Sequence, residues 1–221
     1  MLKYPISTLL YLAKINIKDT IQDALKLHNN IDIRLTITVK DKDGKIIKQH
    51  KQKSHSFVAN FMYFLGTFLA NTEYNWTDVS GNVRQYYGNN NLPLSLILNA
   101  NCGSPGQCGI VIGTGTATPT PQNYKLGNQI ANGTSSGQMQ YGNPSFIQPT
   151  VSGNTTSMII SQTFQNQSGA SITVSEVGII AFTDTSSGYD YVLLVHDLLS
   201  SPITVANLSV LQITYTISVT T

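Results

Sequence analysis

The C-terminal end of the chain alternates strictly between apolar and polar residues. From Leu211 onward the odd positions are apolar and the even positions are polar, as far as Thr220. Because successive side chains of a strand point to opposite faces, this pattern predicts a half-buried β-strand within residues 206–221. Two interpretations stay open: the strand completes an internal core, or it is one end of a sheet that neighbouring subunits extend.

The same alternation recurs along the chain and predicts a mainly β fold. It is clearest at Ile31–Lys40, and Asp41-Lys42-Asp43-Gly44 then predicts a tight hairpin, since glycine accepts the positive φ of such turns. Near Glu176 the apolar residues change from even to odd positions, which predicts a β-bulge. Further strands are predicted over residues 46–55, 92–98, 109–113, 157–164, 170–181, 189–199 and 203–205. This spacing is typical of an antiparallel β-sandwich or jelly roll.

Two short N-terminal helices accompany the strands. One is predicted near residues 17–28, where apolar residues recur at helical spacing, and the other carries an aromatic stripe that begins at Phe57 and ends near Asn71. The stripe is interpreted as core. We therefore divide the chain into a basic helix-hairpin-helix region, residues 1–72, and a β-sandwich body, residues 73–221, or take the two as one continuous domain.

One long stretch lacks a strand pattern. Residues 114–156 are rich in Gly, Thr, Pro, Asn and Gln and have few branched apolar residues. Because long loops without secondary structure are uncommon in compact domains, this excursion is predicted to be functional or to be held by partners, and we favour partners.

Charge is unevenly distributed along the chain. The net charge is only +2, but residues 1–53 carry a net +6 and residues 54–221 a net −4. Lys48, Lys51 and Lys53 follow one another on the second arm of the hairpin and predict contact with a polyanion, either nucleic acid or lipid head groups. A solvated, lysine-rich sheet edge that resists aggregation is the alternative. Two-residue spacing places Lys51 and Lys53 on one face and Lys48 on the other.

The low content of charged residues, 11%, suits packing against identical copies. Cys102 and Cys108 flank a Gly/Pro loop and lack the four ligands of a structural zinc site, so they predict a disulfide and an oxidising or hyperthermophilic setting. Sequons that permit N-glycosylation occur at Asn75, Asn132, Asn154, Asn166 and Asn207.

No pattern in the chain predicts catalysis, a metal site or a cofactor. Gly133-Thr134-Ser135-Ser136-Gly137 matches the nucleophile-elbow pattern, with Asp184 or Asp190 and then His196 following it. That motif requires a preceding strand and a following helix, whereas here it falls in a predicted loop. His196 and Asp197 lie next to each other in a predicted strand, so they point to opposite faces and cannot share one metal ion.

Four segments together resemble a pattern found in structural virion proteins of tailed phages and of viruses of thermophilic archaea. They are Ser56-Phe57-Val58-Ala59-Asn60-Phe61; Gly113-Thr114-Gly115 with Pro119, Pro121 and Asn123-Tyr124-Lys125-Leu126; residues 171–179; and Val195-His196-Asp197 with Pro202-Ile203 and Thr214-Tyr215-Thr216-Ile217. The chain is most similar to tail or nozzle components of archaeal spindle-shaped viruses.

The resemblance implies a non-enzymatic subunit at the tail or vertex of a virion. Such a subunit forms a ring with its own copies and other virion proteins, and it closes or lines the genome exit channel. In that ring, Lys51 and Lys53 hold DNA through phosphate contacts, or the basic region meets the viral membrane surface or a neighbouring subunit. The alternative function is a receptor-binding or cell-surface attachment module, such as a spike, turret or fibre, that uses residues 114–156.

Overall fold

A computed structural model shows a mainly β chain with antiparallel sheets. The structure describes residues 31–54, 57–70, 74–86, 104–185 and 188–220. In chain order the elements are β1 (Ile31–Lys40), β2 (Ile46–Lys53), α1 (Ala59–Ala70), β3 (Tyr74–Thr77), β4 (Val83–Tyr86), β5 (Gly109–Gly113), β6 (Gln140–Tyr141), β7 (Ser145–Ser152), β8 (Thr155–Gln165), β9 (Ile172–Thr185), β10 (Gly188–Val205) and β11 (Val210–Thr220). The predicted helix at residues 17–28 and the predicted strand at residues 92–98 lie outside the described residues.

The larger sheet has six strands in the order β2-β1-β11-β8, and β6 and β7 both pair with β8. β11 therefore lies between β1 and β8 and is paired on both sides. The interpretation of the last strand as one end of a sheet is wrong. Its apolar positions Leu211, Ile213 and Tyr215 are fully buried, so the alternation marks a strand with one face toward the core. Among the described strands, the edges of the sheet are β2 on one side and β6 and β7 on the other.

The predicted boundary at residues 72 and 73 does not separate two sheets. β1 and β2, from the predicted N-terminal region, belong to the same sheet as β8 and β11 from the predicted body. The predicted hairpin is present between β1 and β2, and Gly44 has a φ of 80°.

The second sheet has three strands in the order β10-β9-β5 and shares the apolar core with the first. β9 pairs with β5 without interruption from Glu176 to Ile180. The irregularity that was expected near Glu176 lies in the partner strand, where the register of β10 shifts between Leu198 and Ile203. Residues 174–181 of β9 are all buried, so apolar and polar residues do not alternate on this stretch. This explains why the apolar positions change from even to odd numbers there.

Helix α1 joins strand β10 of the smaller sheet to the short β3–β4 hairpin. Asn60, which is buried, donates from its side-chain nitrogen to the carbonyl oxygens of Thr77 and Leu193, at 2.9 and 3.3 Å. The predicted aromatic stripe is core only in part: Phe61 and Phe64 pack against the core, whereas Phe57 is exposed. Val58 and Asn60, between the aromatic residues, are the most buried described side chains of this segment.

Candidate functional site

Glu176 is a carboxylate buried inside the protein, with 1% of its surface exposed. Its Oε1 accepts hydrogen bonds from the backbone N–H groups of Gly115 at 2.9 Å and Asn128 at 2.7 Å. Its Oε2 accepts from the N–H of Gly127 at 2.9 Å and lies 2.8 Å from Nε2 of His196. Four donors from three separate segments therefore converge on one side chain. We call this arrangement the Glu176 site.

Glycines make the close approach of the loop to Glu176 possible. A Cβ atom on Gly113 or on Gly115 would overlap with Oε1 of Glu176, and one on Gly113 would also lie 2.7 Å from the carbonyl oxygen of Asn128. Neither glycine has a positive φ, so the reason for glycine here is space and not backbone conformation.

His196 of β10 completes the site as a buried hydrogen-bond partner. Its Nδ1 lies 3.2 Å from Oδ1 of Asn123, and the same Oδ1 accepts from the N–H of Thr120 at 2.6 Å. His196 therefore contacts Asn123 through one ring nitrogen and the Glu176 carboxylate through the other, and it ties strand β10 to both.

Two opposing effects set the pKa of Glu176. Burial by itself would raise the pKa, but the hydrogen bond from His196 and those from the three backbone N–H groups outweigh it and lower the pKa from 4.5 to about 2. The carboxylate is therefore ionised over the whole range in which most proteins fold.

The stability of the fold is expected to decrease in acid because of Glu176. Since the folded pKa lies below the unfolded one, the stabilisation is present above about pH 4.5 and is lost as the pH falls toward about 2. The loss corresponds to roughly 3 kcal/mol of unfolding free energy. Denaturant unfolding at several pH values measures it. The decrease should be absent from a Glu176→Gln variant, and parallel curves for the two proteins would contradict the assignment.

The Glu176 site anchors the first part of the 114–156 excursion to the core of its own chain. Tyr141 donates its hydroxyl to the carbonyl oxygen of Ile130 at 2.7 Å, and three further side chains of this stretch are buried: Leu126, Ile130 and Met139. The prediction that partners hold the whole excursion is therefore wrong for this part. The excursion also contains regular structure, because β6, β7 and the first residues of β8 lie in it.

The four donors that meet the Glu176 carboxylate hold the loop of Gly115, Gly127 and Asn128 against strands β9 and β10. Three of the four segments singled out in the sequence meet here: the second through Gly115 and Asn123, the third through Glu176 and the fourth through His196.

Asp197 points to the opposite face of β10, as its position beside His196 predicts. Its Oδ2 accepts hydrogen bonds from the hydroxyl groups of Ser54 at 2.7 Å and Tyr215 at 2.9 Å. Burial and the neighbouring charge of Asp197 raise the pKa of Tyr215 well above its usual value of 10. This contact joins β10 of the smaller sheet to β11 of the larger one.

The nucleophile-elbow pattern has no elbow geometry. Residues 133–137 form a loop that is followed by strand β6. His196 contacts Glu176 and Asn123, and Asp190 lies 3.4 Å from Arg84. No group of three metal-binding side chains occurs within the part of the chain that the structure describes.

The basic residues of β2 lie on a sheet edge and face the two sides that their spacing predicts. Residues directly opposite each other in neighbouring strands share a face. Lys51 lies opposite Thr36 and Lys53 opposite Arg34, on the face turned away from the core, whereas Lys48 lies opposite Val39, which is buried.

The three lysines differ in their ionic partners. Asp32 bonds to Nε of Arg34 at 2.6 Å and lies 3.8 Å from Nζ of Lys53. The hydrogen bond from Arg34 contributes most to lowering the pKa of Asp32, so this carboxylate offsets part of the charge of Lys53. Among the described residues, Lys48 and Lys51 have no acidic partner. Lys51 is therefore the cation of this face that is most available to a polyanion.

Cys102 lies outside the described residues, so its disulfide with the buried Cys108 stays a prediction. Asn75, Asn132, Asn154 and Asn207 are exposed, as a glycan requires. Asn166 is fully buried, and its Nδ2 donates to the carbonyl oxygens of Ala170 and Val205 at 2.8 Å each. Since Nδ2 is the atom that a glycan would occupy, this sequon has a structural role in the folded chain.

Comparison with protein-family models, with curated proteins and with solved structures finds no match to this chain. Within the described ranges, no helix is both long enough and apolar enough to span a membrane.

Proposed function

We propose that the protein is a non-enzymatic structural subunit of a virion. In this proposal the two sheets form a β-sandwich body, and copies of it assemble into a ring at the tail, nozzle or vertex, where they close or line the genome exit channel together with other virion proteins. The observation that carries the proposal is the separation of charge within the six-stranded sheet.

All charged residues of that sheet lie on β1 and β2, at one side. They are Asp32, Arg34, Lys40, Lys48, Lys51 and Lys53. The strands β6, β7, β8 and β11 contain no charged residue. A basic edge beside a neutral face suits a subunit that meets a polyanion with one part and its own copies with another.

In the ring, Lys51 and Lys53 of every copy face the lumen and hold DNA through contacts to phosphate that do not depend on sequence. Each copy adds the same small number of contacts, so the ring multiplies a weak individual attraction. The viral membrane surface is the other polyanion that this edge would meet.

A Lys51→Glu/Lys53→Glu particle is expected to assemble but to retain or eject its genome abnormally, because the lumen gains negative charge opposite the phosphates. Particle yield and genome ejection measure the two steps separately. The matched control is Lys42→Glu/Lys45→Glu, which makes the same change of charge at the exposed hairpin turn. Normal ejection by the Lys51→Glu/Lys53→Glu particle would rule out the lumen arrangement.

A second candidate function, a receptor-binding or attachment module, is favoured by one further feature. A cleft of about 350 Å³ lies where β6, β8 and β11 meet, and it is lined by uncharged groups: Gln140, Tyr141, Gly142, Thr163, Gln165 and Val210. Neutral amides and a hydroxyl suit a neutral, hydroxyl-rich ligand such as a surface glycan. Binding of the isolated protein to host cells, together with a monomeric mass, would favour this function over the ring.

A further inference from the structure

Three cross-strand pairs of β1 and β2 form a polar surface on the side of the larger sheet that is turned away from the core. Leu35 and Ile37, which lie between the β1 members of these pairs, are buried, so their neighbours along the strand point outward. Half of the six side chains are lysine or arginine, and none is apolar or aromatic. We call this surface the basic face; its pairs are Arg34 with Lys53, Thr36 with Lys51 and Thr38 with Gln49.

The basic face has more positive than negative charge. The side chains of Arg34 and Lys53 are 69% and 64% exposed, and Lys51 is exposed as well. Asp32, the next outward residue of β1, contacts Arg34 at 2.6 Å and Lys53 at 3.8 Å, so one carboxylate is shared by two cations. Lys51 and, at the other end of β1, Lys40 add two further cations on the same side of the sheet. Four cations therefore accompany one acid.

The acidic residues of the body do not form a surface that could receive the basic face. Residues 54–221 have a net charge of −4 in the sequence, but the acids that the structure describes there are withdrawn from solvent. Asp78, Glu176 and Asp197 are 1–3% exposed, and Asp190, whose side chain is 16% exposed, lies 3.4 Å from Arg84. Within the described ranges, the body of a second copy therefore presents no acidic surface, and charge complementarity indicates a different molecule as the partner.

We propose that the basic face binds the phosphate backbone of double-stranded nucleic acid, with Arg34 and Thr36 as contacts beside Lys51 and Lys53. The inference rests on the polyanion contact of the proposed function, and it does not require the ring. Lysine and arginine share phosphate contacts with hydroxyl and amide side chains, which is the composition of this face. Thr36 lies directly opposite Lys51, so its hydroxyl is placed to donate to the phosphate that Lys51 attracts.

Two other polyanions fit the basic face less well. Single-stranded nucleic acid is held in large part by aromatic side chains on which its bases stack, and this face has none. Binding to a membrane surface combines basic residues with apolar side chains that enter the bilayer, and the exposed Ile46 and Ile47 lie outside the face, next to the hairpin turn. A duplex presents its phosphates on the outside and requires neither kind of side chain.

The test measures binding of the full chain to a short labelled DNA duplex, to one of its strands and to phosphatidylserine vesicles, at several salt concentrations. The wild-type chain is expected to bind the duplex most tightly. Lys51→Gln/Lys53→Gln should weaken duplex binding and reduce the slope of log K against log salt by about 2, one for each lost phosphate contact. The matched control Lys42→Gln/Lys45→Gln removes the same charge at the exposed hairpin turn and should leave the slope unchanged.

Thr36→Val separates a direct contact from the general attraction of charge. Valine has nearly the same shape as threonine and the net charge is unchanged. Duplex affinity should therefore fall about three- to tenfold with the salt slope unaltered, as is expected when a neutral hydrogen bond is lost. The control is Thr156→Val, the same change at an exposed position of β8, which should bind the duplex like the wild-type chain.

The proposal is overturned if the chain binds no duplex at low salt, if the single strand binds as tightly as the duplex, if the two double variants bind the duplex equally, or if Thr36→Val binds like the wild-type chain. Tighter binding to the vesicles than to the duplex would also overturn it and assign the face to a membrane. The proposed function fails separately, when purified particles lack the protein although the chain binds the duplex. Circular dichroism checks that each variant is folded.

Discussion

Replacing Glu176 with glutamine is expected to lower the unfolding free energy by about 3 kcal/mol, because buried donors that meet one carboxylate oxygen lose their acceptor. Glutamine has nearly the same shape, so the packing is kept. Its amide nitrogen, however, donates where a carboxylate oxygen accepts, so the donors at that oxygen are left without an acceptor in a site whose side chains are 1–3% exposed. Denaturant unfolding at neutral pH measures the difference.

The control for Glu176→Gln is Asp43→Asn, the same chemical change at an exposed turn, which should alter the unfolding free energy by less than about 0.5 kcal/mol. A second comparison isolates the contact between Glu176 and His196. The double variant Glu176→Gln/His196→Gln removes both partners of that contact and should be more stable than the sum of the two single losses predicts. Strict additivity would mean that Glu176 stabilises the loop through its backbone contacts alone.

The strands of this fold are largely predictable from the sequence, because one face of most strands is buried. Ile31–Lys40 and the alternating part of the last strand are found where the pattern predicts them. The order of strands is not predictable in the same way. Alternation shows that β11 has one buried face, but it does not show which strands lie at its two edges, since backbone pairing leaves no mark on side-chain periodicity.

The way in which the 114–156 excursion is held could not be predicted from the sequence, for a different reason. Its first part has few branched apolar residues, and its fixation depends on the backbone N–H groups of Gly115, Gly127 and Asn128, which every sequence possesses. Only Glu176 itself stands out in the sequence, as a carboxyl group among apolar residues of β9. That single signal indicates a buried partner, and it does not identify His196, which lies on another strand.

The orientation of the lysines on β2 was easier to predict from the sequence. Two-residue spacing gives the face of each lysine, and the register of the hairpin agrees with it. The ion pair of Lys53 was missed because it depends on that register, which places Arg34 opposite Lys53 and brings Asp32 of β1 within reach. Lys51, without such a partner among the described residues, is the better position for a single charge reversal.

Gly113→Ala is expected to destabilise the fold by about 1–3 kcal/mol, the usual range for overpacking a core. The added methyl group would overlap with Oε1 of Glu176 and approach the carbonyl oxygen of Asn128 to 2.7 Å. Neither neighbour moves easily: the carboxylate is fixed by four donors, and the carbonyl oxygen accepts the N–H of Thr114 at 2.9 Å. Thermal or denaturant unfolding gives the loss directly.

Gly127→Ala is the matched control, because Gly127 belongs to the same site and donates its N–H to the same carboxylate. There the nearest neighbour of an added Cβ is Oε2 of Glu176 at 3.4 Å, an ordinary contact, and φ is not positive. Alanine at this position should change the unfolding free energy by less than about 1 kcal/mol. Equal losses at Gly113 and Gly127 would show that the loop yields to the added methyl group. The rigidity that the Glu176 site gives to the excursion would then have to come from the buried apolar residues Leu126, Ile130 and Met139.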